Sequence, residues 1–170
     1  MDRKKFLLNT ATFIPGMLLL SKLADAQTTQ QQTPEPYKLD LVKEFVIAGH
    51  KDLAKTQSMV AENPNLIYSK FDWGNGDFEA AIEGAGHMGN KEIAQFLIEK
   101  GSRVTLFVLA MLGKTQLVKP ILEEYPKLVF AIGPHGFTML HHARLAGKEG
   151  EELVAYLDEK GLKEPWIKIK

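Results

Sequence analysis

One pattern recurs along this chain and restricts its fold more than any other feature. An apolar run with helical spacing, a glycine, and a second such run follow one another around Gly49, Gly89, Gly113 and Gly147. A glycine between two short helices supplies a backbone conformation that other residues adopt only at a cost. Leu39, Leu41, Val42, Phe45 and Val46 precede Gly49, and Leu53, Ala54, Met59 and Val60 follow it. After Gly89, residues Ile93, Phe96, Leu97 and Lys100 share one helical face, with Asn90 placed to cap the start and Gly101 the finish. Pro64 and Pro126 mark helix ends, and Pro120 falls inside a helix, where it would remove one hydrogen bond and bend the axis. A single pair of such helices cannot bury both its faces, so the pairs must stack on one another.

Two stretches carry a more specific signal. Gly136 to Gly147 reads GFTMLHHARLAG, with a Gly-x-Thr start, Leu140, His141 and Ala143, and a closing glycine. Gly89 to Gly101 reads GNKEIAQFLIEKG. Together they resemble the two halves of an ankyrin repeat, G-x-T-P-L-H-x-A-x-x-x-G and G-H-x-E-V-V-K-L-L-L-E-x-G. The resemblance runs from about Tyr37 to Gly161. It implies an all-α fold, an ankyrin-repeat solenoid of about four helix-turn-helix units at 38–71, 72–104, 105–132 and 133–161. The third unit is compressed, with 24 residues from Gly89 to Gly113 where about 33 is usual. A small insertion falls at Lys148-Glu149 in the fourth. Residues 162–170 form a tail, and Trp166 and Ile167 are expected to fold back over the last outer helix. Phe71 to Glu79, His87-Met88-Gly89, Ala110 to Gly113 and Gly133 to Gly136 also resemble a bacterial group of exported ankyrin proteins.

The first 26 residues read as an export signal. Arg3, Lys4 and Lys5 precede an apolar stretch from Phe6 to Leu20, and Ala24-Asp25-Ala26 offers a small-x-small cleavage site. Arg3 to Leu7 is similar to a twin-arginine motif with Lys4 in place of the second arginine; the general secretory route stays open, as does retention of the segment as an anchor. Residues 27–37 read as a flexible linker. The expected location is periplasmic or secreted, with no membrane attachment after cleavage. The chain holds 21 basic and 21 acidic side chains, and the part after residue 26 holds 17 and 19. Neither balance creates a basic field, so no nucleic-acid partner is expected. The chain has no cysteine, which rules out disulfides and thiol chemistry.

The polar residues give a less definite reading. His141 occupies the ankyrin position that bonds backbone groups of neighbouring turns, and His142 points elsewhere because adjacent helical residues do not share a face. Asp72, Asp77 and Glu79 crowd a glycine-rich loop that lacks both the EF-hand and the phosphate-loop pattern. It reads as a turn in which Asp72 or Asp77 caps a helix starting near Phe78. No HxxxH or HExxH spacing occurs, so no catalytic residue, cofactor or metal ligand is assigned. The resemblance implies instead a non-enzymatic, monomeric module that binds a protein partner on its concave face. Mapped onto that face are Trp73, Glu79, His87, Met88, Met111, Phe137 and Leu145. The alternative is a metal- or small-ligand-binding protein with a weak hydrolase-like site at Asp77, His87, His135 and His142.

Overall fold

The computed structural model describes residues 34–169. The segment expected to be an export signal, 1–26, and most of the expected linker, 27–37, lie outside the described residues. Among those described, eight α-helices and one small antiparallel hairpin make the chain all-α in class. The helices come in pairs: α1 (Leu39–Lys51) with α2 (Leu53–Glu62), α3 (Ala81–Met88) with α4 (Lys91–Glu99), α5 (Leu106–Met111) with α6 (Thr115–Glu124), and α7 (Met139–Leu145) with α8 (Glu151–Glu159). Strands β1 (Phe71–Asp72) and β2 (Phe78–Glu79) precede α3, with Phe71 opposite Glu79 and Asp72 opposite Phe78.

The first helix of each pair packs on the first helix of the next, so α1, α3, α5 and α7 lie side by side. Their inward residues are small or aliphatic. Ala81, Ile82 and Ala85 of α3 meet Val42, Phe45 and Val46 of α1 in one core, which Ile93, Ala94 and Leu97 of α4 back. A second core joins Leu140 and Ala143 of α7 to Val118 and Leu122 of α6 and Leu153 and Leu157 of α8. Helix α5 is the seam: Val108 and Met111 belong to the first core and Ala110 to the second. Burial of this aliphatic surface, about 25 cal/mol per Å², is the main stabilising term for helices of six to thirteen residues that would not persist alone.

Caps and turns set the boundaries. Asn90 accepts from the Ile93 amide at 3.1 Å and starts α4, and Gly101, at φ +89°, closes it. Gly89, Gly113 and Gly147 have positive φ between their helices. Gly49 does not: it is buried inside α1, which runs on to Lys51. The break comes at Asp52, whose carboxylate accepts from the Lys55 amide to cap α2. Gly49 is needed instead because a β-carbon there would collide with Ala81 of α3. Pro120 sits within α6, which continues to Glu124. The Lys148-Glu149 insertion forms a 3-10 turn from Gly147 to Gly150.

The C-terminal tail departs from expectation. It pairs with the segment before α7 and does not cover α8: Ile167 N–H donates to Gly136 O at 2.9 Å, and Thr138 N–H to Pro165 O at 3.0 Å. Trp166 Nε1–H donates to His135 O at 2.6 Å. The extended backbone before α7 leaves polar groups that an extended tail satisfies and an outer helix face cannot. The tail thereby holds the turn that carries His135.

Candidate functional site: a glutamate among three histidines

The hairpin before α3 delivers three of the site's side chains. Asp72 Oδ1 accepts from Gly74 N–H at 2.8 Å, and Trp73 N–H donates to Asp77 O at 3.0 Å, which folds the glycine-rich loop back on itself. Neither aspartate caps a helix. Phe78 and Glu79 are in strand β2, and α3 starts at Ala81, where Glu83 Oε2 accepts from Ala80 N–H at 2.9 Å and also pairs with Lys70. Asp77 is thereby free to reach another segment: its carboxylate accepts both the backbone N–H (2.9 Å) and the Nδ1–H (2.8 Å) of His135.

Glu79 lies at the centre and has no solvent exposure. Its Oε1 accepts from His87 Nε2 at 2.7 Å and lies 3.5 Å from His50 Nε2. Its Oε2 accepts from Trp73 Nε1–H at 2.8 Å and lies 3.2 Å from His135 Nε2. His50 and His87 approach each other through their Nε2 atoms at 3.1 Å. One ligand atom from each of His50, Glu79, His87 and His135 lies within 4.8 Å of the other three. These four residues come from the end of α1, strand β2, the end of α3 and the turn before α7. Burial alone would raise the Glu79 carboxyl above its ordinary range. The His87 hydrogen bond and the nearby charge of His50, His87 and His135 outweigh that and hold it below.

Tautomers follow from the outer partners of the rings. A carbonyl or carboxylate oxygen only accepts, so His50 Nδ1 carries the proton it gives to Val46 O at 2.9 Å, and His135 Nδ1 carries the one it gives to Asp77. In the neutral rings, each Nε2 then bears a lone pair facing the centre. His87 has one Nε2 proton for two neighbours, Glu79 Oε1 and His50 Nε2, while its buried Nδ1 has no hydrogen-bond partner.

Packing keeps the rings in place. Gly84 of α3 makes room for His50, since a β-carbon there would lie 2.7 Å from His50 Nδ1. Phe137 stacks on His87 at 5.0 Å and on His141 at 4.2 Å between ring centroids. His141 Nε2–H donates to His87 O at 2.8 Å, a contact from α7 to the backbone of α3.

The residues mapped onto the partner face divide into two groups. Met88 is 53% exposed and Leu145 36%, and Trp73 and Phe137 are half-buried. Glu79, His87 and Met111 are buried and offer a partner no surface. Met111 sits in the first core because α5 is the seam between two cores and has no solvent face at that position. The alternative grouping of Asp77, His87, His135 and His142 also changes. Asp77, His87 and His135 come together, but His142 is turned into the α5–α7 interface, where its Nδ1–H donates to Thr138 O at 2.8 Å and its ring lies against Phe107. Burial pushes its pKa down to about 4. His50 takes the place expected of His142. Reading Gly49 as an interhelical turn moved His50 out of its helix; extending α1 to Lys51 would have placed it beside α3.

A recess of about 320 Å³ opens over this centre, lined by Ile47, His50, Lys51, Trp73, Met88 and His135. A larger groove of about 710 Å³ beside Phe78, Phe107 and Met139 is mostly apolar, and its Lys70 and Glu83 pair with each other. Convergent polar groups distinguish the smaller recess as the candidate site.

No protein-family model, curated protein or solved structure matches the chain.

Proposed function

We propose that this chain is a non-enzymatic binding module, an ankyrin-type solenoid of four units that holds a protein partner on its concave face. In this reading it is exported by its N-terminal segment and works outside the bacterial cytoplasm. The observation that carries the proposal is the rim of the 320 Å³ recess. Ile47 at 48% and Met88 at 53% exposure stand on successive inner helices on either side of half-buried Trp73. Leu145 continues the line from α7, with its side chain against Gly89. Exposed aliphatic and thioether groups around an aromatic suit an inserted apolar side chain of a partner, with water excluded by the rim. The exposed faces of α4 and α8 are mainly charged and that of α2 is mainly small and polar; α6 exposes Leu117 and Ile121 but no aromatic residue between them.

A photo-crosslinking residue at position 88 tests this in the exporting cell. The expected result is one discrete adduct, lost in Leu145→Glu and absent when the crosslinker stands at Glu123 on α6. Equal adducts at 88 and 123, or an adduct unaffected by Leu145→Glu, would place the partner elsewhere.

A further inference from the structure

We infer that His50, Glu79, His87 and His135 form a binding site for a divalent first-row transition ion of the zinc class, reached through the recess above them. The inference stands apart from the protein-partner reading and survives its failure.

Ligand type comes first. Three imidazoles and one carboxylate are the donors that zinc and its neighbours take, and oxygen-preferring calcium or magnesium would not select them. Spacing agrees. A tetrahedral ion with bonds of about 2.0–2.1 Å needs donor atoms about 3.3 Å apart. Around Glu79 Oε1 the donors stand 2.7 Å (His87 to Glu79), 3.1 Å (His50 to His87) and 3.5 Å (His50 to Glu79) apart; His135 Nε2 lies 3.2 Å from Oε2, and one donor atom from each of the four residues falls within 4.8 Å of the others.

The outer contacts give the independent support. His135 donates Nδ1–H to Asp77, and His50 donates Nδ1–H to Val46 O. Such contacts fix the tautomer and leave Nε2 unprotonated toward an ion. Trp73 Nε1–H occupies one side of the carboxylate at Oε2 and leaves Oε1 toward His50 and His87. His50 and His87 direct their Nε2 atoms at Glu79 Oε1, and His135 directs its Nε2 at Glu79 Oε2. A divalent ion among them would meet all three imidazoles and the carboxylate. For His87 to bind through Nε2 its single N–H proton shifts to Nδ1, which has no other hydrogen-bond partner, and none is released. His50 and His135 have exposed ring edges in the recess, with side chains 20% and 30% accessible, so an ion has a path inward.

The chain from residue 27 to 170, stripped by chelator and dialysed, is titrated with Zn²⁺ by calorimetry and with Co²⁺ by visible absorption. The expected result is one equivalent of either ion, cobalt bands of nitrogen and oxygen ligation, and a Tm raised by at least about 5 °C in excess zinc. His135→Ala, on an accessible turn, is expected to weaken Zn²⁺ binding by at least about 100-fold with helical circular dichroism unchanged. Asp77→Asn is expected to weaken it by about 10-fold through the orientation of His135. His142→Gln should leave it unchanged. Absence of cobalt bands and of a zinc-dependent Tm shift in the unmutated protein would overturn the site, whatever the variants do. So would unaltered affinity in folded His135→Ala.

Discussion

Histidine is buried in two kinds of place in this protein, and they treat it differently. His142 lies between α5 and α7 beside the rings of Phe107 and His141, gives its Nδ1–H to a carbonyl one turn back, and is held neutral chiefly by burial. His87 is buried almost as deeply, at 6% exposure, but faces a carboxylate and two further imidazoles. Depth does not separate them; the neighbours do. An imidazole whose donor is satisfied by a carbonyl behaves as a core residue, whereas one placed against Glu79 belongs to a centre that attracts a cation.

The comparison breaks most sharply at Glu79. Glu79→Ala removes the acceptor shared by Trp73 and His87 and leaves three imidazoles facing one another. A loss of about 3–5 kcal/mol in stability is expected by urea unfolding, as for a buried polar network deprived of one member. His142→Leu removes a single hydrogen bond at similar volume and should cost no more than about 1.5 kcal/mol. Equal costs at the two positions would show that the centre is ordinary core.

Acid sharpens it next. His142 has a folded pKa near 4 against an ordinary value of 6.5, so the unfolded chain takes up its proton first as pH falls. Its contribution to stability is complete above pH 6.5 and is lost on descending toward pH 4, by about 3 kcal/mol at most. The difference between the wild-type and His142→Leu stability curves isolates this term. A difference that stays flat from pH 7 to 4 would mean that His142 is already protonated or solvated in the fold.

A smaller effect lies in the turn that supports His135. Gly136 has φ +85°, and a β-carbon there would collide with Ile167 O of the tail. Gly136→Ala is expected to destabilise by about 1–3 kcal/mol in chemical unfolding and to weaken whatever His135 holds. The smallest effect is at the rim: Met88→Ala should change stability by less than about 0.5 kcal/mol, because its side chain is exposed.

Much of the helix-pair arrangement was legible from residues with local meaning. Asn90 and Gly101 bracket α4, Pro64 and Pro126 begin 3-10 turns after α2 and α6, and the apolar faces follow the expected period. The centre was less legible because its members lie 37 residues apart (His50 and His87) and 58 apart (Asp77 and His135). No local spacing records such contacts. Asp77 resembles a helix cap in sequence, and only the β2 strand, which delays α3 to Ala81, frees it for His135. Met111 was mapped to the partner face by its place just before Gly113; its burial depends on two cores meeting at α5. The tail was misplaced because open backbone groups before α7, which no side-chain pattern reveals, determine where it pairs.

The most direct test of the account is anomalous diffraction at the zinc absorption edge from crystals of residues 27–170, grown with zinc. The account requires one peak bounded by Nε2 of His50, His87 and His135 and the Glu79 carboxylate, at bond lengths of about 2.0–2.2 Å. Those four side chains converging as described with no anomalous peak between them, or a peak held by other residues, would contradict it.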